Sequence, residues 1–245
     1  MKLKKIASLA LAGVMAVSML TACGSNAIDE QPPVDNGNDT TVTGYSATLQ
    51  SKLSAHASDK ITLSDSAELD KALNYAAGFV GNNMITDETA DDIWENHGMV
   101  SIVTGTDGLG GNDALIKART NLNDALGVKI KWDGGKTVAE NIARLDPVNA
   151  KVDTDPAWYT KNDVNMVLLY VVDGSVPMEN VMEEVADDIN DDIVGLTDKY
   201  EATDMKGDTN FNYTGSVATC TKTYEAGHGM SLTLVAVELV RHIGK

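Results

Sequence analysis

The stretch that most restricts how this chain can fold is Val164 to Val172, VNMVLLYVV, where apolar side chains occupy both parities and only Asn165 interrupts them. Successive side chains of a strand point to opposite faces, so a run that is apolar at both parities needs cover above and below. A central strand buried on both faces is therefore expected here. Asp173-Gly174 then turns the chain into a helix, with Pro177 near its start and Val181, Met182, Val185, Ile189 and Ile193 on its inward face. Residues 211 to 224 and 230 to 243 read as two further strands, joined through Glu225-Ala226-Gly227-His228-Gly229 as a closing hairpin. The second of these carries a conflict. Leu232, Val235, Ala236, Leu239, Val240 and Ile243 also fit a helical stripe, and Arg241 and Gly244 would suit a helix end. The abundance of Val and Thr and the apolar character of both parities favour the strand.

The first half of the chain is richer in helical spacing. Tyr45 to Ala57 places Leu49 and Leu53 four apart on one face. Ser64 or Ser66 can cap a helix carrying Leu69, Leu73, Ala76, Ala77 and Val80 before Gly81. A short helix is expected from Thr86, with acids in its first turn and Ile93 and Trp94 on one side. Met99 to Thr104 reads as a strand, followed by the loop Gly105 to Gly111. A helix capped by Asn112 or Asp113 bears Leu115, Ala118, Leu122, Ala125 and Leu126, and Gly127 stops it. Val128, Ile130 and Trp132 alternate as a strand, and Thr137 with Glu140 forms a capping box for a helix reaching Leu145. The fold class expected is α+β: a helical N-terminal part packed on a mostly antiparallel sheet of about five strands, near 100, 130, 168, 218 and 237, with a C-terminal βαββ unit.

The first residues carry an address. Lys2, Lys4 and Lys5 precede an apolar run from Ile6 to Leu20 that is short for a membrane span and ends in Leu20-Thr21-Ala22-Cys23. This ending resembles the lipobox of bacterial lipoproteins. The resemblance implies a signal peptide over residues 1–22, a diacylglyceryl group (typically palmitate-bearing) on Cys23, and Cys23 as the mature N-terminus, anchored at the cell membrane and facing outside the cytoplasm. Two acyl chains hold a protein persistently where one is marginal, at about 0.8 kcal/mol per buried methylene. Residues 23–43, rich in Asn, Asp, Gly, Pro and Thr, read as a flexible tether, and 44–245 as one extracytoplasmic domain. Asn121 to Asp133 also resembles a helix-to-strand segment of the cysteine-rich secretory and pathogenesis-related proteins. The remaining motifs of that family are not found in compatible order, so no domain family is assigned to residues 44–245.

Charge narrows the partners. The chain carries 19 basic and 36 acidic residues, a net −17, and removal of Lys2, Lys4 and Lys5 with the signal leaves 16 against 36, or −20. Such a surface repels polyanions and disfavours nucleic acid, and membrane contact falls to the lipid. Cationic or envelope partners are compatible with it, although acidity in an exported domain usually serves solubility. Lipidation of Cys23 leaves no pair of thiols for a disulfide framework, so the fold is expected to rest on its core.

No motif announces a reaction or a cofactor. The Gly105–Gly111 loop lacks a phosphate-binding lysine and the dinucleotide glycine spacing, and Asp107 and Asp113 would repel an anion. Glu183, Glu184, Asp187, Asp188, Asp191 and Asp192 diverge along a helix too much for a calcium cage, and read as a solvated face opposite Val185 and Ile189; Asp153 and Asp155 are the loop alternative for a metal. Cys220 with His228 or His242 is the one pairing with nucleophile-and-base character, against which stands a buried, inert cysteine. Trp158 and Tyr159 are the aromatic pair that could contact a ligand, or pack on the core beneath. The leading expectation is a lipid-anchored module that binds a ligand or partner or serves the envelope structurally; an envelope hydrolase is the second.

Overall fold

The Val164–Val172 run forms most of β3 (Val164–Asp173), in which every residue but Asn165 is buried. In this computed structural model the described residues are 44–81, 100–103, 113–133, 136–146, 162–200, 209–223 and 231–244. β6 (Ser231–Ile243) lies antiparallel beside β3 from Val164↔Arg241 to Asp173↔Leu232. On its other side β6 pairs antiparallel with β5 (Thr209–Thr223), from Phe211↔Ile243 to Thr223↔Ser231. The helical stripe of 231–243 is thus overruled: as a strand this segment completes the backbone bonding of both neighbours, which a helix would leave open.

Shorter strands finish the sheet. β2 (Val100–Ile102) runs antiparallel on the free side of β3, and β1 (Ile61–Leu63) runs parallel to the middle of β5. β4 (Lys199–Tyr200) pairs with the first residues of β5. The order is β1-β5-β6-β3-β2, antiparallel everywhere except at β1. The α+β class and the mostly antiparallel sheet are as the sequence predicts.

Helices cover both faces of this sheet. Met166, Leu168, Tyr170 and Val172 of β3, with Val235, Val237, Leu239 and Val217, pack beneath α1 (Ser46–Lys52), α2 (Ala55–Lys60), α5 (Val138–Ile142) and α6 (Met178–Val194). Val167, Leu169 and Val171, with Leu234, Ala236, Ala218 and Cys220, pack beneath α3 (Ala67–Gly78) and α4 (Asp113–Ala125). The helical N-terminal part is therefore divided between the two sides. The inward residues of α6 named from spacing, Val181, Met182, Val185, Ile189 and Ile193, are all buried.

Local signals hold where side chains close the helix ends. Ser66 Oγ accepts from Leu69 N at 3.2 Å to start α3. Thr137 and Glu140 form the reciprocal box, with Glu140 N donating to Thr137 Oγ1 at 3.2 Å and Thr137 N donating to Glu140 Oε2 at 2.9 Å. α5 then tightens into a 3-10 turn, Ala143–Leu145. Gly127 follows α4 with φ of +58°, the left-handed conformation that favours glycine after a helix.

Two expectations are corrected. Residues 45–57 form two helices, because Ser54 takes an extended conformation and its hydroxyl accepts from Ala57 N, capping α2 in mid-run. Its own N–H donates to Asn190 Oδ1 of α6 at 2.9 Å, so tertiary contact fixes the break. Val128 to Trp132 is not a strand. Val128 is buried on the α3 side and Ile130 on the α6 side, while Ile130 N donates to Asn165 O at 3.0 Å. Their alternation records a chain crossing over the sheet edge from one layer to the other. The helix expected from Thr86 and the Gly105–Gly111 loop lie outside the described residues.

Asp70, in the first turn of α3, provides a test of the packing on that side. Burial, reinforced by the neighbouring Asp65, pushes its carboxyl up to about 6. A carboxyl raised in the folded state binds its proton more tightly there than in the unfolded chain. It costs nothing below pH 4, costs progressively more between about pH 4 and 6, and carries the full penalty above. Asp70→Asn is expected to raise stability at pH 7 by roughly 1 kcal/mol, after discounting for partial solvent exposure. Its advantage should fade as the pH approaches 4, as read from urea melts across that range.

Candidate functional site

The α3 face of the sheet changes character along its length. Where α3 and α4 cover it, the cross-strand rows are Leu169–Ala236–Ala218 and Val171–Leu234–Cys220. Toward the other end the rows become Val167–Glu238–Ser216 and Asn165–Val240–Thr214, and His242 then stands opposite Asn212. Strand register alone gathers Asn165, Thr214, Ser216, Glu238 and His242 on one side of three strands, with Asp163 at the entry to β3.

These side chains form two connected groups. In the first, Asn165 Nδ2 donates to Glu238 Oε1 at 2.9 Å, and Ser216 also bonds the Glu238 carboxyl. Burial raises the Glu238 carboxyl from its ordinary value, its two hydrogen bonds oppose the rise, and the Glu68 carboxylate in the first turn of α3 adds to it. In the second, Asp163 Oδ2 meets His242 Nδ1 at 2.9 Å, and His242 Nε2 meets Thr214 Oγ1 at 2.8 Å. Asp163 Oδ1 also accepts from Ile243 N at 2.9 Å, which fixes the carboxylate to the backbone of β6. The His242 bond holds the Asp163 carboxyl below its usual range, with the Ile243 amide as the next cause. The His242 and Asp163 side chains are 37% and 58% exposed, so this end of the face is open to solvent.

The opposite face holds polar groups that serve the fold. The Tyr170 hydroxyl, buried in β3, donates to Asp188 Oδ2 of α6 at 2.7 Å, and partial burial raises the Asp188 carboxyl. Asp188 thereby leaves the uniformly solvated helix face expected for the acidic group. Lys52 of α1 pairs with Glu179 and Glu183 of α6 at 3.2 and 3.1 Å. Among the described residues no group of three or more His, Cys, Asp or Glu side chains is placed to hold a metal ion.

The residues singled out from sequence fare unevenly. Cys220 is 2% exposed on β5 and is disulfide-bonded. It is therefore neither a nucleophilic thiol nor outside disulfide chemistry, which corrects both expectations made for it. The residue opposite Cys220 on β6 is Leu234, and His242 lies eight positions further along, about 27 Å at ~3.4 Å per residue. The Cys220–His242 pairing is excluded by this register. His228, Cys23, Trp158, Tyr159, Asp153 and Asp155 lie outside the described residues.

Asp163 and Thr214 escaped the sequence reading because each is unremarkable in its own segment. His242 is 79 positions from Asp163 and 28 from Thr214. Only the registers of β3, β6 and β5 bring them together, although the polar alternation of Asn212, Thr214 and Ser216 was visible. The chain matches no family model, no curated protein and no solved structure.

Proposed function

We propose that this chain is an exported lipoprotein, held at the outer side of the cell membrane by a diacylglyceryl group on Cys23, whose sheet presents its polar end to a ligand or partner in the envelope. The observation that carries the anchor is the sequence Leu20-Thr21-Ala22-Cys23 at the end of a basic-then-apolar start. In support, no helix among the described residues is long and apolar enough to cross a membrane. The net acidity of residues 23–245 also turns the domain away from anionic lipid and nucleic acid. The half of the α3 face bearing Asn165, Thr214, Glu238 and His242 supplies hydrogen-bonding groups of both kinds at a solvent-open surface, as ligand contact requires.

Cys23→Ala tests the anchor. The parent is expected to incorporate labelled palmitate and to pellet with membranes, and the variant to lose both properties. The two cysteines sharpen the experiment: Cys23 and Cys220 are the only two in the chain, so the lipidated form is one in which Cys220 is reduced or bonded outside its own chain, and a disulfide within one chain marks the form without lipid. A parent chain without label, whose electrophoretic mobility changes on reduction, would overturn the lipid reading.

A further inference from the structure

The Asp163–His242–Thr214 chain has a direction. An ionised Asp163 carboxylate only accepts, so His242 Nδ1 carries the hydrogen, and in the neutral ring the lone pair of Nε2 faces Thr214 Oγ1 at 2.8 Å. Thr214 then donates its hydroxyl hydrogen to the imidazole. Asp163 is held at its other oxygen by the Ile243 amide, so the ring is oriented through a fixed carboxylate. A hydroxyl bonded to a base, with the base oriented by a third group, is the arrangement that activates a hydroxyl nucleophile. Exposure of His242 leaves the reacting end within reach of a substrate.

We propose that Thr214 and His242 are the nucleophile and general base of a carboxylic-ester hydrolase site, with Asp163 as the positioning residue. This deepens the reading of the polar end as a ligand surface and is independent of the lipid anchor. In the first step Thr214 Oγ1 bonds to the ester carbonyl carbon while its proton passes to His242 Nε2. The bond from that carbon to the leaving oxygen breaks, and the departing alkoxide takes the proton. Water then adds to the acyl-threonine, giving its proton to Nε2. The bond to Thr214 breaks and its oxygen recovers the proton, so the products are an alcohol and a carboxylic acid.

The surroundings select the substrate class. Glu238 and Glu68 beside the site, and the net charge of −17, oppose phosphate esters. Thr214 lies within a strand bonded to neighbours on both sides, so its flanking amides are committed to the sheet and are poor oxyanion donors. Esters with stable leaving groups therefore suit the site better than amides.

The test uses the full chain in detergent with p-nitrophenyl acetate, read by release of nitrophenol and by mass spectrometry of the acyl adduct. Acetylation at Thr214 is expected, with Thr214→Val reducing turnover to the uncatalysed level and Thr214→Ser retaining it. His242→Gln is expected to lower kcat by about 100-fold or more, the range for loss of a general base. Asp163→Asn should lower kcat with KM little changed, which a merely structural role would not produce. Melting midpoints of all four variants establish that they are folded. An unmodified Thr214 in the parent, or a folded Thr214→Val variant that hydrolyses as fast as the parent, would overturn the proposal. Envelope capture that survives in Thr214→Val, combined with no acyl adduct in the parent, would remove the chemistry while leaving the binding surface in place.

Discussion

Replacing Arg241 by alanine is expected to lower stability by about 4 kcal/mol, within the range for removing one partner from a buried charged network. Arg241 is fully buried in β6. Its Nη1 donates to the carbonyl of Leu145 at 2.6 Å and its Nη2 to that of Asn162 at 3.4 Å, while the guanidinium carbon lies 4.6 Å from the centre of the Phe211 ring. These carbonyls close the 3-10 turn after α5 and precede β3, so one side chain ties both ends of residues 146–162 to the last strand. The same neighbourhood buries Asp146, which accepts from the Thr197 hydroxyl. Both charges act on the Tyr213 hydroxyl: burial and then Asp146 push it upward, and Arg241 opposes them. Without the guanidinium, the Tyr213 hydroxyl keeps the neighbouring Asp146 charge and loses the opposing positive one. At a urea slope of about 2 kcal/mol per M, the midpoint should fall by about 2 M. Arg241→Met should recover part of the loss, because it refills the volume without restoring the donors. A midpoint shift under about 0.5 M for the alanine variant, read with that same slope, would show that the guanidinium is not the clamp described.

Gly215→Val is expected to cost about 3 kcal/mol, at the upper end of overpacking. A Cβ at this position would lie 2.6 Å from the Glu238 carbonyl oxygen and 2.8 Å from Leu63 Cδ2. Gly215 is thus where the parallel strand β1 closes on β5, in the register Leu63↔Gly215, with Ser64 N donating to the Gly215 carbonyl at 2.9 Å. A valine must displace either β1 or β6. Combining it with Leu63→Ala separates the two clashes in a double-mutant cycle. Because the shorter contact is to backbone, the second change should relieve only a minor part of the loss. Full relief would place the strain at Leu63 alone.

These two positions show where sequence reasoning reaches its limit. Arg241 lay in the segment read as a strand and suited a helix end as well, since a basic side chain near Gly244 is a common helix-terminal pattern, and neither reading gave its side chain a partner. Gly215 lies within a run of Thr, Ser and Val that already reads as a strand, and gives no sign of a crossing partner. The β1 segment Ile61–Leu63 is three residues long, too short for any periodicity, and it becomes a strand only because β5 offers it an edge. The polar site behaves likewise. His242 was noticed for its chemistry but paired with Cys220, since in the absence of a register any residue of one strand can be set against any residue of its neighbour.

What the amino-acid sequence determined by itself is local or periodic. The demand of Val164–Val172 for cover on both faces, the inward stripe of Met178–Val194, the Thr137–Glu140 box and the left-handed Gly127 all follow from side chains within a few residues of one another. The proposed lipobox is likewise read from contiguous residues. Sequence composition favoured a strand over residues 231–243, and tertiary structure alone decided its partners and alignment, that the N-terminal helices divide between two layers, and that Asp163, His242 and Thr214 meet. The physical reason is register: a strand offers every neighbour the same repeating backbone groups, so its partner and alignment are set by the packing of the whole sheet between its two helical layers.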